Sequence, residues 1–409
     1  MSSRRRFISS SLGAVALGGT LPGFVREAAW AQTLPLAGAS VDPRNVLVVV
    51  QLNGGNDGLN TVVPYSDDAY HKARPTIRVA ENTVLKIDER VGFNPALAGL
   101  HELYKNGQVA LIHGVGYPNP NRSHFEATQI WETASPQRPL PTGWLGRYLD
   151  GLERGANGTT SFAGITLGDT VPAALLAQHA SVQAIGALNT FAYNSGKDAA
   201  SKSTAGALFD GARPGQSPYL SLIEDTARNA LHGGDVLRAK TAAYKTAVTY
   251  PGDGFAQQLQ LAARIVGSDL GVRIIFVSLG TFDTHAGQRS QQDKLLGYLG
   301  NGLLAFYKDL AEHGNASRVL TMTFSEFGRR VTQNASNGTD HGTAAPLFVV
   351  GAGIKGGTFG EQPSLTDLDN GDLKFGTDFR AVYATVLERW LGRDAAPIVG
   401  EGLGRLAFV

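Results

Sequence analysis

The sequence contains no cysteine and carries almost no net charge. The absence of cysteine excludes disulfide bonds, thiolate metal ligands and a cysteine nucleophile, so any metal ion has to be held by His, Asp, Glu, Asn or backbone oxygen. A formal charge of +1, from 36 basic and 35 acidic residues, argues against a nucleic-acid partner held by bulk electrostatics. Beyond the first 31 residues, no apolar run approaches the roughly 18 residues of a membrane span.

The N-terminal segment has the three parts of an export signal. A basic cluster is followed by the apolar, glycine-rich segment Leu12 to Leu21 and by Ala29-Trp30-Ala31, which fits a small-x-small cleavage site. The cluster resembles a twin-arginine signal, Ser3-Arg4-Arg5-Arg6-Phe7-Ile8. The alternative is a disordered basic tail. We therefore predict an export signal over residues 1–31 and a periplasmic or secreted mature chain, whose formal charge becomes −2 once four arginines and one glutamate are removed.

Buried strands are predicted where apolar, β-branched runs lie between turn residues. The clearest runs are Asn45–Leu52, Val109–Gly116, Val272–Gly280 and Ala316–Phe324. Segments of helical periodicity separate them, which predicts an α/β fold with a doubly wound, mostly parallel sheet and helices on both faces. Residues 32–409 are predicted to form one such domain. The small, polar stretch near 190–217 is predicted to be a loop or lid.

Carboxylates and imidazoles recur where these strands end. Asp57 follows the first strand, Asp283 and His285 follow the third, and Glu326 follows the fourth, with Asp340 and His341 in the next loop. Ligands of open α/β sheets bind at the carboxyl edge of the strands. Carboxylate and imidazole are suitable ligands for zinc or a similar divalent ion. The alternative for Asp283 and His285 is an ordinary loop, and for Asp57 a tight turn.

Ser123 stands at a predicted helix start. With Glu126 it forms a capping box, which is a purely structural signature. A serine at a helix N-terminus is also where the helix dipole and free N–H groups stabilise an attacking oxygen or a bound anion. Ser123 is therefore a candidate nucleophile, and Arg122 a candidate clamp for an anion.

Several of these motifs together resemble a known family. They are Leu52-Asn53-Gly54-Gly55-Asn56-Asp57-Gly58-Leu59-Asn60, Arg122-Ser123-His124-Phe125-Glu126, Asp283-Thr284-His285, Phe324-Ser325-Glu326-Phe327-Gly328-Arg329 and Thr339-Asp340-His341-Gly342. The set looks like an uncharacterised bacterial family of twin-arginine-exported proteins often labelled sulfatase-like. More distantly, it resembles the alkaline phosphatase and sulfatase superfamily. The resemblance implies an alkaline-phosphatase-like fold.

The resemblance also implies roles for individual residues. Asp57, Ser123, and Asp283 with His285 match the first three elements of the superfamily pattern in order. For the rest, either Asp340 and His341 are the later Asp-His pair, or Glu326 takes the place of the pair and His341 is the final histidine. The second alignment is preferred because Glu326 directly follows a strand. Ser123 is not within the sulfatase Cys/Ser-x-Pro-x-Arg motif, so sulfatase activity is not implied.

The expected function is that of an exported metal-dependent hydrolase. Its substrates would be small anionic phosphate or sulfate esters, attacked by Ser123 beside one or two divalent ions, with zinc preferred and calcium or manganese as alternatives. The competing hypothesis is a non-catalytic exported protein that retains the fold and one metal ion and binds a partner in an envelope assembly.

Overall fold

The computed structural model describes residues 41–138, 140–152, 162–186, 233–268 and 270–409. The predicted export signal at 1–31 and the predicted loop or lid near 190–217 lie outside the described residues, so both stay predictions. The described residues belong to one compact unit. None of their helices combines the length and the apolarity needed to cross a membrane.

Strands contribute a main sheet and two small ones. In chain order they are β1 (Val46–Asn53), β2 (Val62–Val63), β3 (Leu85–Lys86), β4 (Gly92–Phe93), β5 (Val109–Gly116), β6 (Gly164–Thr166), β7 (Val182–Ala184), β8 (Ile274–Gly280), β9 (Val319–Phe324), β10 (Ala345–Gly351), β11 (Gly357–Phe359), β12 (Leu368–Asp369), β13 (Asp372–Leu373) and β14 (Thr377–Asp378).

The helices differ greatly in length. They are α1 (Gly58–Thr61), α2 (Asp68–Ala73), α3 (Ala98–Lys105), α4 (His124–Thr133), α5 (Trp144–Asp150), α6 (Gly254–Val266), α7 (Gln288–Glu312), α8 (Phe379–Thr385) and α9 (Ala396–Val399). Residues 233–241 are also helical. Short 3₁₀ turns cover Glu81–Thr83, Pro95–Leu97, Ala173–Leu175 and Ala316–Arg318, and a π-helical turn covers Val386–Trp390.

The main sheet has the strand order β11-β5-β10-β9-β1-β8-β6-β7, and β14 adds to β5. All neighbouring pairs are parallel except the two that β10 makes, because β10 runs antiparallel to both β5 and β9. The carboxyl ends of β1, β5, β8 and β9 therefore lie at the same edge as the amino end of β10. The loops that follow β1, β5 and β8 therefore meet the loop that joins β9 to β10.

Both faces of the sheet are buried under helices. Val46, Val48 and Val50 of β1 belong to a core packed with α3, α6 and α7, whereas Leu47 and Val49 belong to a second core packed with α4, α5 and α8. A central strand that is apolar on both faces is typical of a sheet covered on both sides. The predicted α/β fold, with a doubly wound, mostly parallel sheet, is confirmed.

A buried carboxyl group lies in the second of these cores. Burial raises the pKa of Glu132 from its ordinary value of 4.5 to about 7, although hydrogen bonds from the backbone of Ala173 and Ala174 act in the opposite direction. The folded state therefore binds this proton more tightly than the unfolded chain does. Its contribution to stability is complete below about pH 4.5 and is lost as the pH rises through about 7.

We predict that Glu132→Gln flattens part of the pH dependence of stability, because the amide mimics the protonated acid at every pH. Between pH 5 and 7.5 the wild-type free energy of unfolding should fall more than that of the variant, by about 1 to 3 kcal/mol. Urea titrations of both proteins at the two pH values measure this difference. Identical pH dependence in the two proteins would contradict it.

Candidate metal centre

Four side chains meet at the carboxyl edge of the sheet. Ligand atoms of His124, Asp283 and His341 all lie within 4.8 Å of one another. His285 joins them, because its Nε2 lies 2.9 Å from Asp283 Oδ1 and 3.0 Å from His341 Nε2. These four residues are the candidate metal centre. Their side chains are between one fifth and one half exposed, so one side of the group faces solvent.

The four side chains are positioned by three different segments of the chain. His124 is the first residue of α4, Asp283 and His285 follow β8, and His341 forms an isolated antiparallel bridge with Arg329 of the loop after β9. Close backbone contacts hold these loops together. Gly54 has φ of +107°, and a Cβ there would lie 2.6 Å from the amide nitrogen of Asp283. A side chain at this position would therefore force the loops apart.

Each imidazole of the centre has an acceptor at Nδ1. His124 Nδ1 lies 2.8 Å from Glu326 Oε1, His285 Nδ1 lies 3.2 Å from Asp340 Oδ1, and His341 Nδ1 lies 2.9 Å from the Arg122 carbonyl oxygen. A carboxylate or a carbonyl oxygen can only accept, and in a neutral imidazole whose Nδ1 donates to such an oxygen, Nε2 keeps its lone pair for a metal ion. Outer acceptors of this kind orient histidines that bind metal ions.

The inward-facing atoms fit a bound cation. His285 Nε2 and His341 Nε2 approach to 3.0 Å, and they lie 2.9 and 3.2 Å from Asp283 Oδ1. His124 Nε2 is buried without a hydrogen-bond partner and lies 3.5 Å from Asp283 Oδ2. Around a tetrahedral metal ion with bonds of about 2.0–2.1 Å, ligand atoms lie about 3.3 Å apart. Four separations in the centre, of 2.9 to 3.5 Å, are near that spacing, and the ligand atoms of His124, Asp283 and His341 all lie within 4.8 Å of one another.

Asp283 is held as an anion by its surroundings. Partial burial alone would raise its pKa, but the Arg329 guanidinium, 2.7 Å away, and the imidazoles of His341 and His285 lower the pKa to about 2. The carboxylate is therefore charged at any pH at which the protein would function. A permanently ionised carboxylate is available to a metal ion without competition from a proton.

Glu326 and Asp340 lie behind the ligands. Glu326 is fully buried and accepts hydrogen bonds from the Gly54 amide at 2.8 Å and from His124. Asp340 is exposed, and hydrogen bonds from Asn334 and His285 lower its pKa. The structure thus brings both residues to the predicted edge, in positions that orient imidazoles. Direct coordination by either carboxylate stays a prediction.

Asp57 is committed to other contacts. Its two carboxylate oxygens accept from Arg74 at 2.5 and 2.9 Å and from Gln288, and Oδ1 also caps α1 through the Leu59 amide. Both Asp57 and Arg74 are fully buried. The geometry assigns Asp57 to a buried ion pair that supports the loop after β1. Its role as a metal ligand stays a prediction, which these contacts disfavour.

Ser123 and Arg122 precede the first ligand of the centre. Ser123 is the N-cap residue of α4, as predicted, but its exposed hydroxyl makes no capping hydrogen bond, and Glu126 accepts from Asn121 instead. The prediction that Ser123 and Glu126 form a capping box is therefore wrong. The Arg122 guanidinium pairs with the buried Asp372, while its carbonyl holds His341. Roles of Ser123 as nucleophile and of Arg122 as anion clamp stay predictions.

His124 is the site residue that sequence reasoning missed. The helix begins at His124, directly after the N-cap residue, and this places the imidazole in the first turn with Nε2 toward Asp283. A signal was present, because a histidine directly after a predicted N-cap serine stands at the same sheet edge as the other ligands. The prediction treated this helix start only as a place for a nucleophile or an anion.

A family model described as "Protein of unknown function (DUF1501)" matches residues 109–401. The chain belongs to this family. The matched segment includes all four residues of the candidate metal centre, together with Glu326 and Asp340, and excludes Asp57. No curated protein matches the chain.

Solved structures similar to this chain come from the alkaline phosphatase superfamily. They include the alkaline phosphatase from the Antarctic bacterium TAB5 (10% identity, covering 76% of this chain and 92% of that chain, TM-score 0.33). A second is the C-terminal periplasmic domain of EcEptC from Escherichia coli in complex with Zn (10% identity, covering 78% of this chain and 77% of that chain, TM-score 0.34). A third is the lipoteichoic acid synthase LtaP from Listeria monocytogenes (8% identity, covering 93% of this chain and 79% of that chain, TM-score 0.35). Likenesses of this size carry no information on activity.

We predict that His124→Ala lowers the affinity for a divalent ion at least about 100-fold, because it removes a ligand, and that Glu326→Gln lowers it about 10- to 100-fold, because it weakens the orienting acceptor. Elemental analysis and competition with a chelator measure both. His179→Ala is the control, since His179 is an exposed histidine outside the centre. Unchanged metal binding by the His124 variant would contradict the assignment.

We predict that Asp57→Asn destabilises the protein without changing the metal content of the folded fraction. Removing one charge of a buried pair leaves Arg74 uncompensated, at a cost of about 3–5 kcal/mol in unfolding free energy. Arg74→Met should destabilise the protein similarly. Urea titration with metal analysis measures both effects. Loss of metal at wild-type stability in the Asp57 variant would instead show that Asp57 is a ligand.

Proposed function

We propose that the protein is an exported metal-dependent hydrolase of phosphate or sulfate esters. The observation that carries this proposal is the convergence of three imidazoles and one carboxylate, each imidazole with an acceptor at Nδ1, next to the N-terminus of α4. Because one side of the centre is open to solvent, substrate would bind there as a fifth ligand, an expansion that catalytic zinc sites make.

Zinc is the preferred ion. Three nitrogen ligands and one oxygen ligand suit zinc, and manganese remains an alternative, whereas calcium prefers an all-oxygen set. A bound divalent ion at such a centre supplies Lewis acidity and compensates the charge of an ester anion. The four ligands contribute a single formal negative charge, from Asp283, so the ligand shell leaves a net positive charge for an anionic substrate.

Ser123 is proposed as the nucleophile. Its neighbours in the chain both contact the centre, Arg122 through its carbonyl and His124 as a ligand, and its hydroxyl is free of a capping bond. The Ser123 oxygen would form a bond to phosphorus or sulfur while the alcohol leaves with a proton. Water would then break that bond, releasing phosphate or sulfate and restoring the hydroxyl. N–H groups at the start of α4 stabilise the anion throughout.

A non-catalytic exported protein with one metal ion is the second candidate. The ion pair between Asp57 and Arg74 favours it, because this pair withdraws a carboxylate that a two-metal site would use. Such a protein would bind a small anion or an envelope partner without turnover. Assays of the metal-loaded protein on aryl phosphate and aryl sulfate esters separate the two candidates.

We predict that Ser123→Ala reduces ester hydrolysis by several orders of magnitude while changing stability by less than about 0.5 kcal/mol, since no capping bond is lost. Steady-state kinetics and a melting curve on the same preparation give both numbers. Ser135→Ala, beyond the other end of α4, is the control and should keep full activity. A Ser123 variant with wild-type kcat would remove Ser123 from the mechanism.

A further inference from the structure

A cavity of about 300 Å³ adjoins the candidate metal centre. Its wall includes Glu326, whose carboxylate orients His124, and Phe327, whose ring packs against the imidazoles of His124 and His341 at centroid distances of 4.9 and 4.6 Å. Glu326 and Phe327 thus belong both to the cavity wall and to the immediate surroundings of the centre. A molecule bound in the cavity would extend toward the same sheet edge that carries the ligands.

The rest of the wall is mainly apolar. Its aromatic and aliphatic side chains are those of Tyr117, Trp131, Phe327, Ala344, Leu373 and Phe375. Charged side chains on the wall are Glu326, Asp369 and Lys374; of these, Glu326 is engaged with His124, and Lys374 pairs with Asp367. The wall thus offers an apolar surface and no uncommitted cation for a second anionic group.

The size of the cavity limits what fits. An engineered apolar cavity of about 150 Å³ accepts benzene, so about twice that volume accommodates one or two rings, or a ring with a short alkyl chain. Aromatic walls favour aromatic occupants through edge and face contacts. Phe375 is 38% exposed and lines the cavity, so it offers a partly exposed aromatic surface to an entering group.

We propose that this cavity binds the alcohol portion of the substrate, and that this portion is a neutral aryl or arylalkyl group. The inference rests on the proposed function, and it adds a substrate class to it. The ester anion faces the imidazoles while the apolar group occupies the cavity behind Phe327. Esters whose alcohol carries further charges, such as nucleotides, are then poor substrates, because the apolar wall would have to desolvate those charges.

Binding can be tested apart from turnover. Ligand-observed NMR titration of the metal-loaded protein with 2-phenylethanol should show saturable binding. Phe375→Ala should weaken the binding of 2-phenylethanol about three- to tenfold, because it removes apolar contact area. Phe375→Leu removes less of that area, so its affinity should lie between those of Phe375→Ala and the wild type. Leu176→Ala is the control, since Leu176 is 45% exposed and is not part of the cavity wall. Absence of saturable binding, or equal binding by the wild type and Phe375→Ala, overturns the proposal.

Kinetics then distinguish this proposal from the proposed function. Ethyl and 2-phenylethyl esters, as phosphates and as sulfates, have leaving alcohols of similar acidity and differ in the apolar group. We expect a lower KM for the 2-phenylethyl ester in the wild type and a smaller preference in Phe375→Ala. Turnover of both esters with the same KM overturns the cavity assignment and leaves the hydrolase intact. No turnover of either ester, with 2-phenylethanol bound as expected, removes the hydrolase and supports the cavity as a site for arylalkyl groups.

Discussion

The buried guanidinium of Arg329 connects the loops after β1 and β8 to its own loop between β9 and β10. It donates to the carbonyls of Gly54, Gly55, Phe282 and Thr339 and to the carboxylate of Asp283. These acceptors come from the loops after β1 and β8 and, for Thr339, from the loop between β9 and β10 to which Arg329 itself belongs. A planar cation with five donors can satisfy carbonyls from several directions at once, which a lysine cannot do. Removing the Arg329 side chain would leave those buried carbonyls without this donor, and unsatisfied buried acceptors lower the free energy of unfolding.

The strands and the edge of the sheet could be predicted from the sequence because they depend on local pattern. The run Val109–Gly116 has the bounds of β5 as predicted, and apolar residues on both faces indicate a central strand. Parallel strands bring their carboxyl ends to one edge, so the position of Asp283 and His285 followed from the strand before them. The same reasoning reached Glu326, which the structure places at this edge in contact with His124.

Other features depend on contacts between distant segments, and the sequence does not show these. Asp340 and His341 were predicted at the site, but their loop lies at this edge because β10 runs antiparallel, and strand direction leaves no mark on an apolar run. Asp57 has the position of a ligand, but Arg74 forms an ion pair with it and Gln288 donates a hydrogen bond to it. Neither partner is adjacent to Asp57 in sequence. The position of His124 depends on the residue at which α4 begins. A sequence pattern locates a helix start only to within about one turn.

The distances along the chain between the imidazoles and their acceptors affect how the protein matures. Glu326 is 202 residues from His124, and His341 is 219 residues from the Arg122 carbonyl that orients it. Contacts of such long range form late, because loop closure has to precede them. A chain emerging from the ribosome therefore cannot assemble the four ligands until its last quarter has been synthesised. An ion bound at this centre would consequently be chosen by the compartment in which the complete chain folds, since the ligands exist as a set only in the native state.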